Sequence, residues 1–317
     1  MTYQQRMAAY RQESEQLAAE DNTDKLRRAA DLLQSCQRII IGGGAGLSAA
    51  GGMDFSSGEL LKRRFPGLAA MGYETLWQAL WDPGRSEVQY WGMHAAQVLW
   101  SVCDHPVLPV YRDLLRLVAG RDYFVLTTNF DEQFIKAGFD PARVFAPQSS
   151  VLYFQCARPC CDDIWPAEAA YRQIAAHTDP ETYACRPEDI PRCPHCGGPV
   201  INNTRDYGVY PRPPEIFLPR MVMWNREAFE AYFAQAMEMD TVLLELGVGL
   251  NSPGLIRHPF QRMTQLHPNL HLIRMNRDLP SVPPGIRDRS VVIGGDLGAA
   301  LAKIVETACE SPARLIK

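Results

Sequence analysis

The sequence predicts an α/β chain: a doubly wound parallel sheet with a helical subdomain and a small cysteine-rich module set into it. Three observations predict it. Five short apolar runs, at 38–41, 123–126, 241–246, 271–275 and 291–293, run into glycine, threonine, asparagine or aspartate. Such mostly apolar runs, bounded by turn residues and continuous at Ile39-Ile40-Ile41, suit strands buried on both faces. Helix-like spacing of apolar residues fills several of the intervals between them, the alternation that builds a parallel sheet. Finally, six of the nine cysteines crowd between positions 156 and 196, where no long apolar period survives.

The elements follow in order. Positions 1–31 read as helical and mostly solvated, and Leu26, Ala29, Ala30, Leu32 and Leu33 keep a helical spacing. The first strand stops at Gly42-Gly43-Gly44-Ala45-Gly46, and the next helix begins within 47–51. Positions 58–100 carry Phe65, Tyr73, Trp77, Trp81, Tyr90, Trp91 and Trp100, the apolar packing of a helical subdomain. Helices are expected at 111–119, at 227–237 and from the last strand to about Cys309. The expected division is a Rossmann-type domain over 1–150 and 204–317, a helical insertion at about 56–105, and a module at 151–203.

Composition bounds the function. The chain has 317 residues, 46% hydrophobic and 21% charged, with net charge −4. That supports a sizeable core and argues against a basic nucleic-acid surface or a polybasic membrane anchor. The polar N-terminus has no signal-peptide pattern, and no apolar run approaches the ~20 residues of a membrane span. The expected location is the cytoplasm. An odd cysteine count argues against a disulfide framework.

Three constellations carry chemistry. Glycines at 42, 43, 44 and 46, between a strand and a helix, let the backbone approach a pyrophosphate near a helix N-terminus, although the spacing is not a clean GxGxxG. Cys193-Pro194-His195-Cys196 followed by two glycines is a zinc knuckle, and Cys156 with Cys160 or Cys161 supplies the other pair. The shorter, more regular loop favours Cys160. Four thiolates make a closed, structural zinc site. Thr128-Asn129-Phe130-Asp131 stands at a strand end, where an amide can position a water or ribose hydroxyl and an aspartate can cap a helix.

Taken in order, Gly44-Ala45-Gly46-Leu47-Ser48, Thr127-Thr128-Asn129-Phe130-Asp131, the four cysteines, Leu246-Gly247-Val248-Gly249 and Asn276 resemble the sirtuin family over nearly the whole chain. The resemblance implies a Rossmann-type domain, a structural Zn²⁺ and cleavage of the nicotinamide–ribose bond of NAD. It implies Asn129, Asp131 and residue 148 as the catalytic group. It implies contacts to NAD from Gly43, Gly44, Ala45, Gly46, Ser48, Asp54, Phe55, Gly247, Val248, Asn276 and Asp296 as well. Capping of strand ends is the plainer reading of Asn276 and Asp296.

Two departures matter. A deacylating sirtuin has a His-Gly pair shortly before the first zinc cysteine, and that histidine is its general base. Here Gln148-Ser149 stands there, and a carboxamide cannot accept a proton near neutral pH. The arginine of the usual Pro-Asp-Phe-Arg is replaced by Ser56. A glutamine at this place, with Tyr153-Phe154-Gln155-Cys156, resembles the class M, macrodomain-linked branch. That resemblance implies protein mono-ADP-ribosylation, a lipoylated carrier protein related to the glycine-cleavage H protein as acceptor, a macrodomain hydrolase as functional partner, and a role in oxidative stress. Lysine deacylation with an unusual base, and NAD sensing without turnover, are the alternatives. Arg205, Arg212, Arg220 and Trp224 fall where the resemblance would place part of the acceptor cleft, although solvated or structural arginines are the plainer reading, and Arg257 and His258 either touch the phosphate side or have no such role.

Overall fold

The structure, a computed structural model, describes residues 12, 15–17, 19–205 and 224–310. Residues 1–11, 13, 14 and 18 of the N-terminal stretch expected to be helical lie outside the described residues, as do Arg212 and Arg220. Six parallel strands form the main sheet: β1 (Arg38–Gly43), β2 (Tyr123–Thr127), β3 (Val144–Phe145), β7 (Thr241–Leu246), β8 (Leu270–Met275) and β9 (Ser290–Ile293). Their order is β3-β2-β1-β7-β8-β9. This is a doubly wound sheet whose direction of winding reverses between β1 and β7, the switch point at which such sheets bind ligands. Strand β3 has two residues, too short for a periodic pattern to announce it.

Each strand feeds two cores because successive side chains point to opposite faces. Ile39 and Ile41 pack on one side with Val242, Leu244, Tyr123 and Val125. Helices α1 (Thr23–Ser35), α7 (Pro109–Val118) and α12 (Leu297–Glu310) cover that face. Ile40, Leu243, Phe124 and Leu126 face the other way, onto Phe229 of α10 (Arg226–Ala236) and Phe260 of α11 (Arg257–Leu266). Each such aliphatic burial is worth roughly 1.5–3 kcal/mol.

The helical insertion and the cysteine module are continuous in space. Helix α6 (Glu87–Val98) starts in a capping box between Ser86 and Gln89. One part of it, Trp91, Ala95 and Val98, packs on Phe154, Tyr171, Ile174 and Cys156 of the module. Met93 joins Leu61, Phe65, Leu68 and Leu76 of the preceding short helices. The module, which showed no long apolar period in sequence, holds an antiparallel sheet of β5 (Ile164–Pro166), β4 (Ser149–Cys156) and β6 (Val200–Thr204), with α9 (Glu168–Ala176) against it.

Two arginines are drawn inside the main domain. Glu245 on β7 is fully buried and accepts from Arg274 of β8 at 2.8 Å, with Arg257 at 3.4 Å. Arg257 also donates to the carbonyl of Leu279 at 2.9 Å. Arg257, for which the phosphate side and a structural role stood open in the sequence, is thus a buried tie between loops, whereas His258 is exposed. Removing one member of a buried ion network strands the rest and costs about 3–5 kcal/mol. Glu245→Ala is therefore expected to lower unfolding free energy by about that much in denaturant titration. A loss well under 1 kcal/mol would show that the network contributes little.

Candidate active site and cysteine cluster

The glycine loop after β1 meets the loop after β7 backbone to backbone. The Gly46 N–H donates to the Gly247 carbonyl at 2.9 Å, and the Gly44 N–H to Leu246 at 3.0 Å. A Cβ on Gly247 would lie 2.3 Å from Gly46 C and Leu47 N, and Gly247 has φ +62°. Only glycine fits there. These two amides are engaged within the protein, so these glycines contribute close approach rather than free donors. Ala45 is left exposed at the tip of the loop.

Beneath the loop lies a buried polar cluster. Ser48 Oγ donates to Asp131 Oδ2 and lies 2.7 Å from the Tyr111 hydroxyl. The Asn129 amide nitrogen reaches three oxygens: Gly44 O at 3.1 Å, Ser48 Oγ at 3.2 Å and Tyr111 Oη at 3.0 Å. With its NH₂ end held this way, the Asn129 side chain presents its carbonyl oxygen on the opposite side. Asp131 also accepts from the Gln133 N–H at 3.0 Å. Burial raises the Asp131 carboxyl above its ordinary pKa, against the Ser48 bond that lowers it. Asp131 and Ser48 are thus buried supports of Asn129. Tyr111, from α7, is a member that sequence reasoning missed, because its partners are 63 and 18 positions away.

Glu132 was missed as well. It has φ 55°, in the left-handed region, and its carboxylate accepts from Ser150 Oγ at 2.9 Å. With Asn129, Asp131 and Ala146 it lines a small void of about 30 Å³ at the strand ends. This bond ties the asparagine loop to the start of β4, where Gln148 lies half-buried. The Gln148 carbonyl accepts from the Arg205 N–H at 3.0 Å. Ser149, in the place of the glycine of the His-Gly pair, keeps a positive φ of 66°. Its hydroxyl donates to Asn203 Oδ1 at 2.8 Å, a side-chain bond that glycine could not make.

His94 and His105 are engaged elsewhere. His94 bonds Asn202 Oδ1 at 2.8 Å and stacks on Tyr90. His105 bonds Pro106 O at 2.8 Å and meets the Trp100 ring edge-on.

The remaining expected NAD contacts divide. Asp54 is partly exposed and lies 3.7 Å from Arg277 Nη1, so a guanidinium reaches this lip from the β8 loop in place of the one missing at Ser56. Phe55 packs against Trp77 and Trp100. Asn276 uses its whole amide inside the fold: Nδ2 donates to Val248 O at 2.9 Å, and Oδ1 accepts from Asp278 and Leu279 N–H. Asp296 accepts from Ala299 N–H at 3.0 Å and caps α12. Capping is what the structure gives both. A larger cavity of about 420 Å³ is lined by Arg257 and His258, with Leu250, Leu279, Pro283 and Arg287, and by none of the glycine-loop residues, Asn129, Asp131 or Gln148.

The four-cysteine site closes on Cys156, Cys160, Cys193 and Cys196, whose sulfurs all lie within 4.8 Å of one another. Cys156 and Cys196 are 3.8 Å apart, and Cys160 and Cys193 3.6 Å. A tetrahedron with ~2.3 Å Zn–S bonds sets its sulfurs ~3.8 Å apart, so the cysteines fit Zn²⁺. Burial pushes the Cys193 thiol up, but the backbone N–H groups of Cys196 and His195 help hold it well below the ordinary thiol range. Four protein ligands leave no open position, so this zinc is structural. It pins the end of β4 to the knuckle before β6.

Burial raises the Glu132 pKa, opposed by Ser150. A carboxyl with a raised folded pKa gives its full stability below the unfolded value of ~4.3 and loses it as pH rises through the folded value. Glu132→Gln keeps the acceptor oxygen and removes that loss. Its melting temperature is expected to exceed the parent's at neutral pH, the gap closing as pH falls toward ~4. A gap that is constant across pH would refute this.

Comparison with known proteins agrees with this geometry. No family model matches the chain. It is 27% identical over 286 residues to a Staphylococcus aureus protein named "Protein ADP-ribosyltransferase", covering 90% of this chain and 88% of that one. It is 29% identical over 290 residues to a Fusarium oxysporum protein named "Probable bifunctional ADP-ribose hydrolase/ADP-ribosyltransferase". That match covers 89% of this chain but only 48% of the fungal one. Among solved structures, a Sir2 enzyme superimposes with TM-score 0.56 at 21% identity, over 92% of this chain and 99% of the other. A Sir2 homolog in complex with NAD gives 0.53 at 16%, over 89% and 93%. The chain therefore has the Sir2 fold, and along most of its length it is similar to proteins named as ADP-ribosyltransferases.

Proposed function

We propose that this chain transfers ADP-ribose from NAD to a side chain of a protein acceptor, releasing nicotinamide, and that the acceptor is a lipoylated carrier protein. The observation that carries the reading is the carboxamide of Gln148. It stands where deacylation calls for an imidazole, while His94 and His105 are engaged with Asn202 and with the Pro106 carbonyl. The names of both curated relatives support the transfer.

In this reading NAD lies across the carboxyl ends of the strands at the β1–β7 switch point. Loss of nicotinamide leaves positive charge on the ribose C1. Fixed dipoles aimed at a developing charge stabilise it without reorganising. Asn129 is such a dipole: its NH₂ end is anchored by Gly44, Ser48 and Tyr111. Gln148 orients the ribose hydroxyls or the incoming acceptor and moves no proton. The acceptor supplies the nucleophile, so the enzyme needs no titrating base at this position. Arg277 is the cation nearest Asp54 at the lip and faces the phosphates in this scheme. Arg205 and the exposed Trp224 border the acceptor side. A partner that removes the mark, a macrodomain hydrolase, fits the fungal relative's name, which joins ADP-ribose hydrolase and ADP-ribosyltransferase.

The test incubates the chain with NAD and a lipoylated carrier protein and measures intact mass. A gain of one ADP-ribosyl group, absent with the unlipoylated carrier, is the expected result. An unmodified carrier together with O-acyl-ADP-ribose formed from an acyl-lysine peptide would overturn the proposal. Asn129→Ala is expected to lower transfer by about 10²–10³-fold, the scale of one lost electrostatic contact in a transition state. Gln148→Ala is expected to impair transfer strongly. Gln148→His that leaves transfer unchanged and adds no deacylation would show that position 148 does not select the reaction.

A further inference from the structure

The cysteine left outside the zinc cluster has partners of its own. A sulfur of Cys161, a carboxylate oxygen of Asp163 and a ring nitrogen of His195 lie within 4.8 Å of one another. His195 rides on the knuckle between Cys193 and Cys196, and its Nε2 is 3.1 Å from Asp163 Oδ2. Cys161 Sγ is 4.0 Å from Cys160 Sγ, so this triad adjoins the four-cysteine cluster without sharing a ligand with it.

The donor set is one sulfur, one nitrogen and one oxygen, which suits a borderline divalent cation. Bond lengths of ~2.3 Å to sulfur and ~2.0–2.1 Å to nitrogen and oxygen, at tetrahedral angles, place such ligands ~3.3–3.6 Å apart. The imidazole and carboxylate already stand at about that spacing. Asp163 and His195 are exposed and Cys161 is half-buried, so small side-chain rotations close the rest. The backbone around His195 and Cys161 is fixed by Cys193, Cys196 and Cys160, so the inner cluster preorganises the outer one.

We propose that Cys161, Asp163 and His195 form a second metal site, for Zn²⁺ or a cation like it, on the outer side of the structural cluster. Three protein ligands leave the fourth position open, and the site is solvent-accessible. It therefore holds its ion less tightly than the four-cysteine site and exchanges it. This proposal does not depend on the reaction the enzyme performs.

The experiment uses the untagged full chain. Metal content per chain is measured after equilibration with micromolar Zn²⁺, and Co²⁺ uptake is followed by its thiolate charge-transfer and d–d absorption. Two equivalents are expected, the second removed by a mild chelator that leaves the first. Cys161→Ser and His195→Ala, made separately, are each expected to bind one equivalent with unchanged circular dichroism. Should His195→Ala disturb the knuckle and lose both equivalents, Cys161→Ser alone decides. Saturation of the parent at one equivalent would overturn the site. So would a second equivalent that survives Cys161→Ser or carries no thiolate band, since that marks adventitious surface binding.

Discussion

The backbone contact between Gly46 and Gly247 is the constraint on which the site depends. Two loops from neighbouring parallel strands come so close that neither carries a side chain at the contact, and a hydrogen bond of 2.9 Å joins them. This pins the start of the helix after β1. Ser48 is thereby fixed over Asp131, and Asn129 beside both. Each member of the cluster restricts the next, so a short loop contact becomes a fixed orientation of one amide. Burial raises the pKa values of Asp131 and Tyr111, with Asp131 facing Ser48, Tyr111 and, at longer range, Lys136. A buried polar cluster of this kind is tolerable only because its members satisfy one another.

The second constraint is the junction at 148–150. The chain leaves the main sheet here and enters the module, and three features hold it: the left-handed Ser149, the Ser150–Glu132 bond and the Arg205–Gln148 backbone bond. The four-cysteine cluster fastens the far end of the same strand. A Zn²⁺ held there would fix one end of β4, and Gln148 lies just before the other. Shared packing between α6 and the module makes the helical insertion part of the same support.

Much of this was legible from residues in order. Strands buried on both faces need mostly apolar runs, so five of the six strands of the main sheet announced themselves even where Glu245 and Arg274 break the run. The cysteine spacing restricted the ligand sets to two, and the sulfur positions group Cys160 rather than Cys161 with Cys156. Strand β4 escaped because it spans the boundary drawn at position 151, its apolar residues interrupted by Gln155. Glu132 escaped because its partner lies 18 positions on, and nothing local marks that bond. Asn276 and Asp296 were read in sequence as NAD contacts with capping as the alternative, and only their hydrogen bonds show that both serve as caps.

The sequence by itself determined the sheet, the cysteine cluster and the presence of an amide at position 148, because each depends on residue type at short spacing. Tertiary structure decided which polar groups meet. It brought Tyr111 to Asn129, Arg277 to Asp54 and His195 to Asp163 across separations of 18, 223 and 32 positions. Such pairings follow from where the chain's elements dock, and docking is set by the whole core rather than by any window of sequence.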